Sequence, residues 1–518
     1  MLFRTLCLAV TGVLFFPSKA QETLLDPGFG MGGVALHTMS PFGGDIANDV
    51  IVQPDGRILI VGGAGGEEGM ITVLRLSDNS ELDPTFSGDG RTQVSIGETS
   101  EGQAITLYAD GRLMVVGNAT FAGSFDDMAF ARFLPNGALD TTFSGDGRTV
   151  ITRSTPADAL FAVALDGEER IITAGKLEGN NSDMVAVRLL PDGSPDPAFA
   201  AAGLFVTQEH VGEVAEDFVL RSDGGITLVG AWRLGQPDAD LAVLQLDANG
   251  TMDEAFGVDG MFRPSEPGST SAAIEVEEVA DGKLLILGKR YSSGSPEQIF
   301  MGRITATGEW DVTYGSGGRS FLPVGPPFIG FARDMVVLPD GKALVTTDVV
   351  DTSNGEASIL VMRVLANGTL DAAFGTNGRV FMPCPGGGCS IRSLANDGQG
   401  RVVATGTYLA DQGSAVLVMR WLPEASPIGV EERIISSTFE VYPNPTTGVL
   451  NLRIDVGHPA EQRHLTVADV SGRILHAQRL GATATAAIAL PGELADGLYH
   501  VFLSSDAGAL RRSIILRR

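Results

Sequence analysis

An acidic, glycine-rich phrase is the first place where this sequence could perform chemistry. Residues 82–92 read LDPTFSGDGRT, and residues 139–149 repeat the phrase as LDTTFSGDGRT. Closely spaced carboxylates can ligate calcium or act as an acid and base pair in glycan cleavage. However, Asp89 has serine and glycine neighbours instead of oxygen ligands at alternate positions. We therefore expect no cofactor and keep calcium as the alternative.

Other catalytic signals are sparse in the first four fifths of the chain. His37 and His210 are the only histidines in residues 21–422, and we interpret both as surface or strand residues. The sequence contains no GxSxG, HExxH or phosphate-loop pattern. Paired carboxylates remain an open alternative, because acidic residues are abundant and sequence does not give their separation in space.

The phrase recurs seven times at intervals of 56 to 60 residues, which indicates a repeat architecture. Each copy has an aspartate, which occurs at Asp26, Asp83, Asp140, Asp196, Asp253, Asp311 and Asp371. An aromatic residue follows three positions later, at Phe29, Phe86, Phe143, Phe199, Phe256, Tyr314 and Phe374. A glycine follows seven positions after the aspartate, at Gly33, Gly90, Gly147, Gly203, Gly260, Gly318 and Gly378.

Because these residues occur in every unit, a structural role explains them better than catalysis. We expect the aspartate to cap a turn, the aromatic ring to pack between units, and the glycine to adopt a backbone conformation that other residues avoid. An arginine eight residues before the aspartate would pair with it in every unit that contains one. Function should then be sought in the parts that do not repeat.

Each unit also contains alternating hydrophobic residues around an Asp-Gly turn, as in IANDVIVQPDGRILIVGG at 46–63. About four short strands per unit, repeated seven times, predict an all-β fold with a seven-bladed β-propeller. An open solenoid or two sandwiches are the alternatives. The first motif has no strand before it, so we expect the N-terminal strand to complete the seventh blade and close the ring.

The units resemble the delta-60 repeat family, in their LDxxFGxxG phrase, their DG turn and their ARL-like strand, over residues 24–422. Three residues depart from that pattern, namely Tyr314, Gln245 and Pro195, and none of them replaces a turn glycine. The resemblance implies a propeller-like array on exported proteins and no established reaction.

The two ends of the chain carry targeting signals. Residues 1–20 combine Arg4, an apolar run and a small-residue site before Gln21, as a cleavable signal peptide does. The apolar run is too short to span a membrane, and no other stretch is long enough. The predicted domains are the signal peptide (1–20), the repeats (21–422), a linker (423–438) and a C-terminal domain (439–518).

The C-terminal domain has alternating strands and turns typical of a small β-sandwich. It resembles the type A C-terminal sorting domain of the type IX secretion system, through YPNPTTG, VADVSGR and DGLYHV. The residues that carry the match are Pro443, Asn444, Pro445, Gly448, Asp469, Gly472, Gly497 and Tyr499. This resemblance implies the type IX machinery as a partner and a location at the cell surface or outside the cell.

The net charge bears on the class of partner, and the cysteines bear on disulfide formation. The net charge is −27, and signal cleavage would remove two more basic residues, so we expect no nucleic-acid partner. Cys7 leaves with the signal peptide, and in an exported chain Cys384 and Cys389 then form a loop-closing disulfide. We expect a monomer.

In an antiparallel meander, the Asp-Gly turns and the repeated junctions share one face of the disc, and the variable loops share the other. Candidate ligand residues in these loops are Phe121, Trp232, Arg233, Tyr291 and Phe328. We predict a binding or structural module for a glycan or protein, and an enzyme is less expected. The alternatives are a secreted glycan-degrading enzyme and a structural adhesin without a small ligand.

Overall fold

The computed structural model describes residues 24–422 and 439–517, apart from short gaps. In the first range the gaps are 41–43, 66–68, 123–125, 154–156, 179–180, 209–210, 234–238, 266–267, 293, 385–387 and 411–412. In the second range they are 443–445, 455–462, 470–473, 481–484, 491–493, 495–496 and 506–507. The chain divides into two compact units, one with the repeats and one with the C-terminal segment.

The repeats form seven antiparallel sheets of four strands, which are the blades of a β-propeller. The first strand of the chain is β1 (Val34–His37). Blade 1 contains β2 (Ile46–Val52), β3 (Ile58–Ala64), β4 (Met70–Leu76) and β5 (Arg91–Val94). Blade 2 contains β6 (Thr99–Leu107), β7 (Leu113–Thr120), β8 (Asp126–Phe133) and β9 (Arg148–Ile151). Blade 3 contains β10 (Ala159–Leu165), β11 (Ile171–Glu178), β12 (Ser182–Leu189) and β13 (Leu204–Val206).

The next three blades repeat the arrangement. Blade 4 contains β14 (Val214–Leu220), β15 (Ile226–Trp232), β16 (Asp240–Leu246) and β17 (Met261–Phe262). Blade 5 contains β18 (Ser269–Val279), β19 (Lys283–Ser292), β20 (Gln298–Ile304) and β21 (Arg319–Phe321), and a 3₁₀ turn (Ala280–Gly282) joins its first two strands. Blade 6 contains β22 (Phe328–Val337), β23 (Ala343–Asp351), β24 (Ala357–Val364) and β25 (Arg379–Pro383).

The seventh blade closes the ring with a strand from each end of the repeat array. It contains β26 (Cys389–Asn396), β27 (Val402–Ala410) and β28 (Gly413–Trp421), and β1 is its outermost strand. Val34 lies opposite Met419, and His37 lies opposite Val416. The seven-bladed propeller predicted from the repeats is therefore confirmed, with the closure that the first motif indicated.

The hydrophobic core lies between neighbouring blades. One cluster, for example, joins Leu59 and Val61 of blade 1 to Ile105 and Val115 of blade 2, and all four are at least 97% buried. Side chains that alternate along each strand cover both faces of its sheet, so every blade packs on two neighbours. Closure thus lets the first and last blades bury the surface that an open array would expose.

The C-terminal unit is a small β-sandwich. One sheet contains β29 (Phe439–Tyr442), β30 (Val449–Ile454) and β33 (Thr485–Ala489). The other contains β31 (Arg463–Asp469), β32 (Ile474–Leu480), β34 (Gly497–Ser505) and β35 (Gly508–Leu516). Leu450 and Leu452 of the first sheet share one core with Leu465 and Val501 of the second. Within the described ranges, no helix is long and apolar enough to cross a bilayer.

Candidate functional site

Asp140 shows how the repeated motif joins two blades. Its Oδ1 accepts the backbone N–H of Thr142 at 3.1 Å, and its Oδ2 accepts the Nε–H of Arg132 at 2.7 Å. All seven motif aspartates accept the backbone N–H two residues later. The motif aspartate is thus a turn cap that also neutralises a buried arginine.

The arginine of the junction also contacts the next blade. Arg132 donates from Nη1 to the carbonyl oxygen of Pro191 in blade 3, and its guanidinium lies 4.9 Å from the centroid of the Phe143 ring. Phe143 is fully buried against Gly193, where a Cβ would lie 2.8 Å from the ring. Gly147 has a φ of 87°, in the left-handed region. The repeated residues of the junction are thus engaged in contacts between neighbouring blades.

Four of the junction aspartates have lowered pKa values, which favours their ionised form. Burial by itself would raise their pKa values, but hydrogen bonds and the paired arginine more than offset that effect. The pKa values of Asp83, Asp140 and Asp196 consequently lie below the ordinary range. The pKa of Asp311 is lowered by hydrogen bonds from Thr313 and Lys283, and by Arg303.

Gln245 breaks the arginine pattern in blade 4, and a neighbouring residue compensates. Arg221, at the end of the first strand of this blade, donates to Oε1 of Gln245 and lies 3.8 Å from Asp253. The guanidinium therefore reaches the junction from a different strand.

The five candidate ligand residues lie at the variable-loop face, but most of them are packing residues. Trp232 is the last residue of β15, is 3% exposed and stacks under Arg263 at 4.4 Å. Phe328 begins β22, with its ring 4.9 Å from that of Phe381, and Phe121 packs against the core between blades 1 and 2. Tyr291 is 52% exposed. Arg233 follows Trp232 with a left-handed φ of 59°.

The predicted loops were too long around three of these residues. Trp232, Tyr291 and Phe328 belong to strands, because cross-strand pairing continues almost to the chain reversal. Trp232 pairs with Asp240, for example. The sequence showed which loops differ in length between units, but it contained no signal for the residue at which cross-strand pairing ends.

Cys384 and Cys389 flank the connection between blades 6 and 7. The structure joins them by a disulfide, with Cα atoms 5.5 Å apart. His37 lies in the closing strand β1, where burial lowers its pKa to about 4. His210 lies outside the described residues.

The innermost strands form the wall of an axial channel. The first strand of each blade contacts the first strand of both neighbouring blades, so that seven strands surround the axis. Each contains one β-bulge at an equivalent position. A bulge inserts one extra residue and redirects its side chain out of the sheet packing.

The seven bulged residues form what we call the bulge ring, and they are Asn48, Gln103, Phe161, Glu216, Ile274, Arg333 and Arg392. All seven are partly or fully exposed, whereas the residue immediately before each of them is buried. Because their strands surround the axis, these side chains line the channel. The same backbone feature therefore presents seven side chains of different chemistry.

The bulge ring was not predicted from the sequence, although the sequence contains a signal for it. Six of the seven bulges face a glycine in the second strand of the blade, at Gly62, Gly117, Gly175, Gly230, Gly288 and Gly406. A Cβ on Gly230 would lie 1.9 Å from the carbonyl oxygen of Val214, so the bulged backbone needs this space. Thr347 occupies the equivalent place in blade 6.

The residues that follow the bulges include four acids, Asp49, Asp217, Glu275 and Asp334, which we call the carboxyl tier. Three of them accept a backbone N–H from the innermost strand of the next blade: Asp49 from Ile105, Asp217 from Val276 and Asp334 from Leu394. Ser393 accepts the N–H of Val50 in the same manner. These bonds satisfy donors on strand edges that no further strand covers.

Glu275 is longer by one methylene and hydrogen bonds to carboxyl groups on both sides. Its partners are Asp217 in blade 4 and Asp334 in blade 6. Burial raises the pKa of Asp217 to about 7, and burial next to the other two acids raises the pKa of Glu275 well above its ordinary range. Contacting carboxyl groups cannot all be ionised, so this part of the tier holds protons at neutral pH.

A separate cavity of about 370 Å³ lies between blades 5 and 6, beside the Asp-Gly turns. Its wall includes Tyr314, Lys283 and Arg303. Both cations are already paired with Asp311, at 2.9 and 2.8 Å. The described residues contain no group of three or more histidine, cysteine or acidic side chains arranged to hold a metal. The expectation of no cofactor, with calcium as the alternative, stays a prediction.

A ring of seven four-stranded blades closed by the N-terminal strand defines a β-propeller. Within it, residues 53–86, 109–143, 170–199 and 338–374 match the family described as "Domain of unknown function (DUF5122) beta-propeller". Residues 440–517 match the "Secretion system C-terminal sorting domain". The chain thus carries DUF5122 propeller repeats and a type IX sorting domain. That domain directs export to the cell surface or the extracellular space, so this is an exported propeller protein.

Three solved structures show low similarity to the chain. A polysaccharide lyase of family PL25, an ulvan lyase, is 11% identical, with a TM-score of 0.37 over 76% of this chain and 94% of the lyase. The propeller domain of the Trilobed protease from Pyrococcus furiosus is 10% identical, with a TM-score of 0.38 over 75% and 98%. An endo-arabinase from Bacteroides thetaiotaomicron is 14% identical, with a TM-score of 0.28 over 50% and 91%. These scores are too low to support an argument about activity. No curated protein matches the chain.

Some of the sorting-motif residues lie in the described part of the C-terminal unit. Asp469 ends β31 opposite Tyr499 of β34, and Tyr499 is 7% exposed in the sandwich core. Gly497 begins β34, and Gly448 has a φ of 125°. Pro443, Asn444, Pro445 and Gly472 lie outside the described residues, as do the predicted signal peptide and linker.

Proposed function

We propose that the exported propeller is a ligand-binding module, and that its site is the bulge ring at the variable-loop side of the axial channel. One observation carries this proposal, which is that a fixed backbone feature presents seven different side chains to one channel. Repeated structure with non-repeated chemistry is the expected arrangement for a binding surface on a rigid scaffold.

The two faces of the disc support the same assignment. On the junction face, the repeated side chains are engaged in contacts between blades, as Asp140 and Arg132 are. On the variable-loop side, Phe331 is 42% exposed and Leu409 is 51% exposed. Exposed apolar groups next to unlike polar groups are typical of recognition surfaces. A glycan or a protein segment is the partner class that this surface fits.

Binding by the mature protein to soluble polysaccharides and to purified surface proteins, measured by biolayer interferometry, tests the proposal. Gln103→Ala at the bulge ring should weaken binding at least fivefold, because it removes an amide from the site. Met31→Ala, which removes a 70% exposed side chain from the junction face, is the matched control and should bind like the wild type. Equal effects of both variants would contradict the assignment of the site.

Glycan cleavage is a second candidate, favoured by the protonated carboxyl groups in the channel. A carboxyl group with a pKa near 7, such as that of Asp217, is suited to general acid catalysis. The tier acids are also tied to backbone amides, which is a structural use of the same groups. Release of reducing ends from a bound polysaccharide, and its loss in Asp217→Asn, would establish the enzyme and displace the binding-module proposal.

A further inference from the structure

The bulge ring is chemically uneven around the channel. Blades 6 and 7 contribute the two cations Arg333 and Arg392, and blade 4 contributes the anion Glu216. Blades 1 and 2 contribute the amides Asn48 and Gln103. In a chain of net charge −27, two adjacent arginines at the axis are a local exception to the surrounding charge.

The two arginines differ in how they are held. Arg333 donates from Nε to Asp348 at 2.7 Å, and Asp348 also accepts the hydroxyl of Ser390 and the N–H of Ile391 in blade 7. Its guanidinium is therefore fixed at the boundary between blades 6 and 7. Arg392 is exposed, and no residue in the described part of the chain forms an ion pair with it. It is the cation with a full set of donors available for a ligand.

Apolar side chains lie beside these cations and on the opposite side of the ring. Phe331 lies two residues before Arg333 on β22 and is 42% exposed. Phe161, from blade 3, belongs to none of the hydrophobic clusters formed by described residues, although it is a large aromatic side chain. Aromatic faces, amides and a guanidinium together match a sugar ring with hydroxyl groups and one anionic substituent.

The carboxyl tier lies one residue deeper along each strand and limits how far such a ligand can enter. Asp217, Glu275 and Asp334 follow the bulge residues on blades 4 to 6. The acidic side chain of Glu216 on blade 4 disfavours an anionic substituent on that side of the ring, so its favourable position is at the mouth, against the arginines of blades 6 and 7. This arrangement fixes the orientation of the ligand.

We infer, on the basis of the proposed function, that the site binds an acidic carbohydrate end-on, with its carboxylate or sulfate on Arg392 and Arg333 and its sugar ring against Phe161 and the amide of Gln103. The amide N–H groups of Asn48 already donate to Glu101 and Gly102 of blade 2. An acidic peptide lacks the hydroxylated ring that the Gln103 amide and the aromatic face would contact. Arg392 is the specificity residue and Arg333 is a positioning residue that shares the charge.

Calorimetric titration of the mature protein tests the inference. The probes are short oligogalacturonates, their methyl-esterified forms, sulfated carrageenan oligosaccharides and polyglutamate. We expect at least one of the two acidic sugars to bind, with an affinity that falls as salt is raised, and the esterified form to bind at least tenfold more weakly. The two acidic sugars distinguish a carboxylate from a sulfate ligand.

Three arginine variants test which residues contribute to binding of the acidic sugar. Arg392→Ala should weaken binding of the acidic sugar about tenfold, the loss expected for one charge-assisted hydrogen bond. Arg333→Lys keeps a positive charge near Asp348 and should weaken binding less than Arg392→Ala does. Because the charge pair is kept, a folding defect would not explain the weaker binding of this variant. Arg148→Ala removes an arginine paired with Asp146 at the junction face and should have no effect.

The outcomes separate this inference from the proposed function. Binding of neutral and acidic sugars with equal affinity, or an unchanged affinity in Arg392→Ala, would overturn the acidic-carbohydrate assignment and leave a binding module. Binding of polyglutamate alone would also overturn it, in favour of a peptide ligand. A folded protein that binds no polysaccharide or surface protein at all would contradict the proposed function itself.

Discussion

At the residue scale, acidic side chains have opposite environments at the blade junctions and in the carboxyl tier, which is present in blades 1, 4, 5 and 6. Hydrogen bonds and a paired arginine lower the pKa of junction aspartates such as Asp140, whereas burial raises the pKa values of the four acids of the carboxyl tier. The difference is environmental, because a paired guanidinium stabilises the charged carboxylate and burial next to other acids stabilises the neutral form. The two groups should therefore respond oppositely to mutation and pH.

Asp140→Asn tests the junction. The amide keeps an acceptor for the turn but leaves the 2% exposed Arg132 without its counter-charge. Loss of one partner of a buried pair costs about 3 kcal/mol, so urea denaturation should show a large fall in the free energy of unfolding. Asp146→Asn in the same motif is the control, because its exposed pair with Arg148 should contribute less than about 0.5 kcal/mol. Similar losses in the two variants would contradict the junction role.

Glu275→Gln tests the carboxyl tier. An acid whose pKa is raised on folding stabilises the protein below its unfolded value and loses that contribution as pH rises through the folded value. For Asp217 this window extends from about 4, the ordinary value, to about 7. The amide relieves the clustering of charge, so the variant should melt a few degrees above the wild type at pH 8, roughly 2 to 5 °C, and close to it at pH 5.

Glu254→Gln, at an exposed position, provides the matched control and should change the melting temperature little at either pH. A Glu275→Gln variant that is less stable than the wild type at pH 8 would contradict the proton-sharing account. The junction acids add a separate loss of stability below about pH 4, because their pKa values are lowered.

Sequence predicted the junction residues better than the bulge ring, for a physical reason. The motif aspartate, aromatic residue and glycine occur at fixed spacing in every repeat, so their shared role appears in the sequence. Bulge positions carry unlike residues, such as Phe161 and Arg392, and only the glycine opposite marks them. Carboxyl contacts such as that of Glu275 with Asp334 join different blades, and no local pattern predicts them.

At the scale of elements, closure by β1 is the step on which the whole ring depends. The strand pairs with β28, and Asp26 supplies the carboxylate that Arg420 of the last blade requires, at 2.8 Å. The sequence predicted this closure because the first motif lacks a preceding strand and the last unit lacks a following motif. It did not predict strand ends, which depend on pairing across the sheet.

Deletion of residues 24–37 should therefore destabilise every blade, not the seventh alone. Without β1, blade 7 exposes the edge of β28, and Arg420 loses its pair with Asp26 and keeps only the pair with the exposed Asp78. We expect the melting temperature to fall by more than 10 °C and the transition to broaden, as cooperative closure is lost. Differential scanning calorimetry measures both quantities, and an unchanged sharp transition would contradict the closure.

At the scale of the whole molecule, the two faces of the propeller have different tasks. The junction face contains repeated groups that hold neighbouring blades together, and the opposite side contains loops of unequal length around a channel lined by unlike side chains. The C-terminal sandwich has its own core and carries the export signal. Export thus depends on one unit of the chain, and the ligand binding that we propose belongs to the other.

Hydrogen–deuterium exchange of the mature protein, with and without a saturating acidic oligosaccharide, tests the central claim most directly. The account predicts slower exchange in peptides from β22 and β26, which carry Arg333 and Arg392, and no change in peptides from the junction face around residues 139–149. Slower exchange confined to the junction face, with β22 and β26 unaffected, would contradict a binding site at the bulge ring.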